Sequence, residues 1–322
     1  MTVGDYGEFL AVSREILLHR PAGAAEELGL DEALTTPGSP EAEIAGYAFL
    51  EAQGFTGATS STLSRIALAD PALDNATGDL AHLPLAWPLD ATPSSGWIAF
   101  GSTTDRALVD LPERGLVALP CSVAPNGRMG LVEDDYAHLV VINPAGGDVL
   151  VPEATMRLLR PAMLARVRLG AAAEILGAAD RMLEDALRYT QTRIQFGRPI
   201  ATFPAIRDLL AWAATERHQL REFLAYCWSL QPLSSPDENL SEIAKALAGT
   251  CGLKIAQATM QATGAMAFTA EYGHGALHRR ILALDAAAGS CATLNREIGA
   301  RARSTGEIPS YFSLDQLAAS LS

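Results

Sequence analysis

The stretch Arg193-Ile194-Gln195-Phe196-Gly197-Arg198-Pro199-Ile200 separates two long segments of helical apolar period. Upstream, Ala172, Ile175, Leu176, Ala179, Met182, Leu183, Ala186 and Leu187 recur at steps of three and four, which predicts one face of a helix. Downstream, Phe203-Pro204-Ala205-Ile206 opens another helix. Gly197 and Pro199 break the period, as a helix–helix corner requires. A guanidinium fork binds phosphate oxygens in pairs, and an aromatic ring stacks on a flat base. Taken as pattern alone, Arg193, Gln195, Phe196 and Arg198 read either as an anion- and base-binding corner or as a capped helix end with solvated arginines.

Composition narrows the function classes. Of 322 residues, 49% are hydrophobic and 19% charged. Mean hydropathy is +0.14, ample for a buried core. The net charge of −13 argues against a general nucleic-acid or anionic-membrane surface, so an anionic ligand needs a local arginine cluster. Cys121, Cys227, Cys251 and Cys291 lie far apart with no C-x-x-C, the pattern of a reduced, cytoplasmic chain. Residues 1–6 show no basic-then-apolar leader, and no apolar run is long enough to span a bilayer.

In chain order, helices are expected over 5–20, 22–30, 41–53 and 63–69, with a loop at 31–40 and a loop-rich stretch over 71–95. Short β-rich runs follow at 97–100, 107–109, 116–119, 130–132 and 139–142. Turn signals at Pro112-Glu113-Arg114-Gly115 and Pro125-Asn126-Gly127 separate them, which predicts a small antiparallel unit. Beyond Ala154 no strand is expected. Helices over 162–192, 203–231, 238–263 and 285–303, with a loop at 231–236, predict a four-helix bundle. The expected class is mostly α with a small β domain: N-terminal helices at 1–84, a middle β unit at 85–152 and a helical bundle at 153–322.

Several chemistries are absent from the text. There is no G-x-S-x-G, GxGxxG or Walker sequence. His274 and His278 stand four apart, but Gly275, Ala276 and Leu277 lie between them, so the glutamate of H-E-x-x-H is missing and no metal is expected. His19, His82, His138 and His218 are scattered.

Residues 187–200 resemble the Arg-x-x-Phe-Gly corner of the acyl-CoA dehydrogenases, flavoproteins that desaturate acyl-CoA thioesters. A second block, Gln261-Ala262-Thr263-Gly264-Ala265-Met266-Ala267-Phe268 followed by Glu271-Tyr272, resembles the family's Gln-x-x-Gly-Gly-x-Gly-Phe and Glu-Tyr. Order and spacing agree over about half the chain. The resemblance implies FAD as cofactor. It places Arg193 at the pyrophosphate, Phe196 near the adenosine, Gln195 as a hydrogen-bonding group, and Gln261 and Gly264 at the diphosphate, all reaching the FAD of a neighbouring subunit.

Departures from the family matter as much. Desaturation needs a base for the α-proton while the β-hydrogen leaves as hydride. The family's usual glutamate position holds Ala288, before Gly289. The alternative position, early in the bundle's first helix, falls at about Ala165. A methyl group accepts no proton. Asp285 and Glu174 are the nearby carboxylates that a displaced base would use. The second and third glycines of the block have become Ala265 and Ala267. No Thr-Glu-x-x-x-Gly-Ser segment for the isoalloxazine is recognisable, with Ala91-Thr92-Pro93-Ser94-Ser95 its only candidate remnant.

The chain is similar to the base-lacking member of heteromeric acyl-CoA dehydrogenases of bacterial steroid side-chain degradation. That implies an α2β2 heterotetramer in which a second acyl-CoA dehydrogenase-like chain holds most of the FAD and the acyl-CoA. It places the chain in lipid metabolism, as an oxidoreductase subunit acting on CH–CH bonds. The alternatives are a homo-oligomeric flavoenzyme with a displaced base, or a flavin-free structural homologue. Arg279, Arg280, Arg296, Arg301 and Arg303 read equally as vestigial CoA contacts or a solvated helix face. The segment 311–314 reads as a docking tail.

Overall fold

The computed structural model describes residues 3–306, apart from 22, 31–33, 35–39, 81, 89–95, 101–104, 125–136, 144–145 and 231–237. Most of the expected loop at 31–40, the loop at 231–236, the turn at 125–127, the run at 130–132, the segment at 91–95 and the tail at 311–314 lie outside the described residues.

The chain opens with α1 (Val3–His19), α2 (Ala24–Glu27), α3 (Pro40–Thr56), α4 (Thr62–Ala67) and α5 (Pro71–Thr77). The first four overlap the expected helices, with α2 covering only four of the residues expected at 22–30. Helix α5 replaces part of the expected loop over 71–95. Asp70 caps it by accepting from the Ala72 N–H at 2.9 Å, and Pro71 occupies the first turn. Asp and Pro there start a helix, although dense Pro and Asp read as loop.

Strands β1 (Leu85–Pro88), β2 (Trp97–Phe100), β3 (Arg106–Leu111), β4 (Gly115–Val123), β5 (Ala137–Ile142) and β6 (Asp148–Pro152) follow. They run in the order β3-β1-β2-β5-β4-β6, and β3 also pairs with β4, so five strands close a ring with β6 on its flank. The unit is antiparallel except for one parallel pair, β1 with β3. Side chains alternate as a pleat requires. Ala86, Trp97, Ala99, Ala107, Val109, Val117, Leu119 and Val140 fill one cluster. Leu85, Trp87, Ile98, Phe100, Leu108 and Leu116 join the main core with the helices.

The remaining chain is helical: α6 (Glu153–Thr192), α7 (Pro204–Ser229), α8 (Glu238–Thr263), α9 (His274–Ala286) and α10 (Cys291–Thr305). Helix α6 begins nine residues before its expected start and carries Pro161 in its interior. The helix expected over 285–303 is in fact two. Ala287–Ser290 breaks it, with Ala288 at φ 54° and Gly289 at φ 101°. A two-residue-per-strand hairpin, β7 (Ile194–Gln195) with β8 (Arg198–Pro199), also corrects the expectation that strands end before 154.

Helices α3 and α6 pack with backbones almost touching. A methyl on Gly177 would lie 1.8 Å from the Glu51 carbonyl oxygen, and one on Gly54 2.1 Å from that of Glu174. Buried charge ties the N-terminal helices to the bundle. Glu51 accepts from the Tyr6 hydroxyl at 2.7 Å and from Arg221 at 3.1 Å, and Arg221 also reaches Asp180 at 2.5 Å. Arg160 joins α6 to β3 through Asp110 at 2.5 and 2.8 Å.

Candidate functional site

Helix α6 stops at Arg193, whose backbone turns extended (φ −73°, ψ 117°) while its N–H still bonds the Tyr189 carbonyl at 2.8 Å. Ile194 then pairs with Pro199 and Gln195 with Arg198. Phe196 (φ 54°) and Gly197 (φ 77°) form the tip. Two consecutive positive φ values suit a two-residue hairpin, and glycine supplies the second without strain. Phe196 adopts it as an aromatic residue, a conformation that costs energy. Its side chain nevertheless remains 91% exposed. Arg193, Gln195 and Arg198 are exposed too. Among the described residues, neither Arg193 nor Arg198 has a carboxylate partner.

The second block meets the corner at the same end of the bundle. Ala179, Leu183 and Ala186 of α6 cluster with Leu210 and Ala213 of α7 and with Ile255 and Ala262 of α8. Helices α6 and α8 therefore run in parallel and end together, with α7 antiparallel beside them. Gln261 is exposed on the last turn of α8. Gly264, at φ 62°, starts the 3-10 turn Gly264–Phe268, and nothing lies within 4 Å of where its Cβ would be. Phe268 is 77% exposed there. The Tyr272 hydroxyl donates to the Asp185 carbonyl at 2.9 Å, and its ring meets Tyr189 edge-on at 5.8 Å, so the block is fastened to the last turns of α6. Burial and the neighbouring Asp185 push the Tyr272 phenol up to about 12. Exposed guanidinium groups without counter-charge, an open ring and an accessible glycine backbone are the donor set for a flat, anionic ligand. The residues fit the adenosine-diphosphate side of FAD, and they present it on an open surface rather than in a closed pocket.

The two positions where the resemblance expects a base lie elsewhere. Ala288 sits in the α9–α10 break, half-buried against the main core. Its carbonyl accepts from Arg168 Nε at 3.1 Å. Lys245, with 0% exposure, donates to the carbonyls of Asp285 at 2.9 Å and Gly289 at 3.1 Å. Burial lowers the Lys245 ammonium to about 8, against the opposing pull of Asp285. Ala165 is fully buried on α6. Between Glu153 and Glu174 that helix carries no acidic residue.

Both candidate displaced carboxylates are engaged. Asp285 Oδ1 accepts from the Cys291 N–H at 2.9 Å and lies 3.7 Å from Lys245 Nζ. Glu174 Oε1 accepts from Gln53 at 2.9 Å and lies 3.5 Å from Arg280. Arg280 is itself buried and donates to the carbonyls of Gln53 (2.8 Å), Gly57 (3.0 Å) and Ala58 (2.6 Å), so it serves the end of α3. Arg301 pairs with Glu242, as does Arg168 at 3.3 Å. No local sequence signal marks these long-range partners.

His274 starts α9, fully buried, tilted against Tyr272 at 4.4 Å, with neither ring nitrogen hydrogen-bonded among the described residues. Among the described residues no group of three His, Cys, Asp or Glu side chains is placed to hold a metal. None of the described helices is long and apolar enough to cross a membrane.

Residues 159–303 match the family model for the acyl-CoA dehydrogenase C-terminal domain. An acyl-CoA dehydrogenase of Bacillus subtilis is 32% identical over 105 residues, which is 33% of this chain and 28% of that protein. The matched segment is thus under a third of that relative's length. The Tcur3481–Tcur3483 steroid acyl-CoA dehydrogenase superposes with a TM-score of 0.67 at 19% identity, covering 95% of this chain and 100% of the other. The ChsE4–ChsE5 complex of Mycobacterium tuberculosis gives 0.65 at 17% identity, covering 96% and 99%. The fold is that of the acyl-CoA dehydrogenases.

Proposed function

We propose that this chain is the base-lacking subunit of a heteromeric, FAD-dependent acyl-CoA dehydrogenase. The observation that carries the reading is the contrast between its two sites: an exposed corner with uncompensated Arg193 and Arg198, and an alanine at each base position. When bound, FAD supplies the hydride acceptor for α,β-desaturation. This chain's part is to bind. Arg193 offers two N–H groups to a pyrophosphate oxygen pair, Gln195 and Gln261 offer amide hydrogen bonds, Phe196 stacks, and Gly264 lets backbone approach the diphosphate.

The partner in this reading is a second acyl-CoA dehydrogenase-like chain that holds the acyl-CoA, in an α2β2 assembly. A steroid side-chain CoA is the substrate class suggested by the likeness in fold to a steroid acyl-CoA dehydrogenase. The engagement of Asp285 with Lys245 and of Glu174 with Gln53 and Arg280 weighs against a self-sufficient enzyme with a displaced base.

The test is flavin content and mass of the chain, expressed alone and with an acyl-CoA dehydrogenase-like partner. A tetramer with one FAD per unlike pair supports the reading. One FAD per chain in isolation, reduced by an acyl-CoA, overturns it in favour of a homo-oligomeric enzyme. Absence of flavin under both conditions favours a structural homologue.

A further inference from the structure

Phe203 contacts two residues of the corner. It is the residue before α7, half-buried, and two neighbours contact its ring. The Arg198 guanidinium carbon lies over one face, 4.3 Å from the centroid. Phe196 forms a T-shaped pair with it, with centroids 6.1 Å apart and planes at 84°. Both distances fall within the attractive range for cation–π and T-shaped aromatic pairs. Arg198 is also the cross-strand partner of Gln195, and the base of the hairpin is closed by the Ile200 N–H on the Arg193 carbonyl at 2.9 Å. The Phe196 ring thus touches Phe203 while 91% of its surface stays exposed. Positive φ at a non-glycine residue is backbone strain of the kind that proteins keep at ligand-binding sites.

We propose that Phe203 and Arg198 are positioning residues that hold Phe196 as a stacking platform for the purine of an adenine dinucleotide. This rests on the flavin reading above and adds two residues to it. Phe203 fixes the ring's tilt. Arg198, lying over the face of Phe203, keeps that ring in place and leaves its positive charge beside the platform, where a phosphate chain joined to the stacked base would pass. Arg193 stands at the other strand of the same hairpin.

The experiment uses the chain with its partner, stripped of flavin and titrated with FAD and, separately, with FMN, which lacks the adenosine half. Phe203→Leu and Arg198→Ala are expected to raise the Kd for FAD about five- to tenfold, the size of one lost stacking or cation–π contact. The Kd for FMN and the thermal midpoint stay unchanged, and Arg198→Lys recovers part of the loss. A merely structural role would lower the midpoint and weaken both flavins alike, which overturns the proposal. If Phe196→Ala weakens FAD while Phe203→Leu and Arg198→Ala do not, the positioning roles fall and the flavin reading stands. If the unaltered complex takes up no FAD, both fall.

Discussion

Lys245 Nζ donates to the Gly289 carbonyl across 3.1 Å, binding α8 to the loop that carries Ala288. The same ammonium holds the Asp285 carbonyl, and Arg168 holds that of Ala288. The loop is therefore anchored from beneath by two buried cations, with Glu242 and Asp285 as counter-charges. Its geometry is a product of packing, independent of any base.

Lys245→Met should cost about 3–5 kcal/mol, because two carbonyls and the Asp285 carboxylate lose a buried partner. Unfolding in denaturant measures it. The wild-type pH profile gives a second check. The Lys245 ammonium is lowered by burial from 10.5 to about 8, so the unfolded chain binds the extra proton between those values. Its contribution is full above pH 10.5 and is lost as pH falls to about 8. Stability of the wild type relative to Lys245→Met should therefore rise across that window.

His274 makes an acid-side prediction. Burial lowers its imidazole from 6.5 to about 4. The neutral form is the folded one, so stability is full above pH 6.5 and falls as pH drops toward 4, by roughly 3 kcal/mol at 1.36 kcal/mol per unit. In His274→Phe this part of the slope should vanish, as read by thermal melts at pH 4.5 and 7.

Arg193→Ala should weaken FAD retention in the complex by ~10- to 100-fold, the worth of charge-assisted hydrogen bonds to phosphate. Arg193 is exposed and makes no ion pair among the described residues, so the melting temperature should stay within about 1 °C. Flavin absorbance after gel filtration decides it, and unchanged flavin content removes Arg193 from the site.

Asp285→Asn and Glu174→Gln separate the rival readings. Each should lower stability by about 1–3 kcal/mol through a weakened buried pair, while the complex keeps its acyl-CoA turnover. Loss of turnover with intact folding and flavin in either variant would make that carboxylate the base.

Gly177→Ala should fail to reach the native packing of α3 on α6, or fold with a penalty above about 3 kcal/mol, since its Cβ meets a main-chain oxygen at 1.8 Å. Expression yield and circular dichroism report it.

Much of the helical plan was legible because apolar period is a local property. The helices at Val3–His19, Pro40–Thr56, Pro204–Ser229 and Glu238–Thr263 each show it over many residues. The corner was legible because Gly197 and Pro199 break that period. The hairpin within it was not, since its pairing spans two residues per strand. The division between α9 and α10 was missed because Ala288 takes a positive φ that nothing in an alanine announces. Strands β1 and β6 and the parallel β1–β3 pair were missed because short strands gain their identity from partners distant in sequence.

By itself the sequence determined the helical and β composition, the place of the corner and the absence of a carboxylate at positions 165 and 288. These depend on residue type and spacing alone. Only the tertiary structure decided which charges are spent. Asp285, Glu174 and Arg280 look like free chemistry in the text, yet each is committed to a partner 40 or more residues away. Arg193 and Arg198 look like ordinary surface charge, yet they stand without a described counter-ion beside an open aromatic ring. Pairing is a matter of distance in space, and distance is set by how α6, α8 and α9 pack.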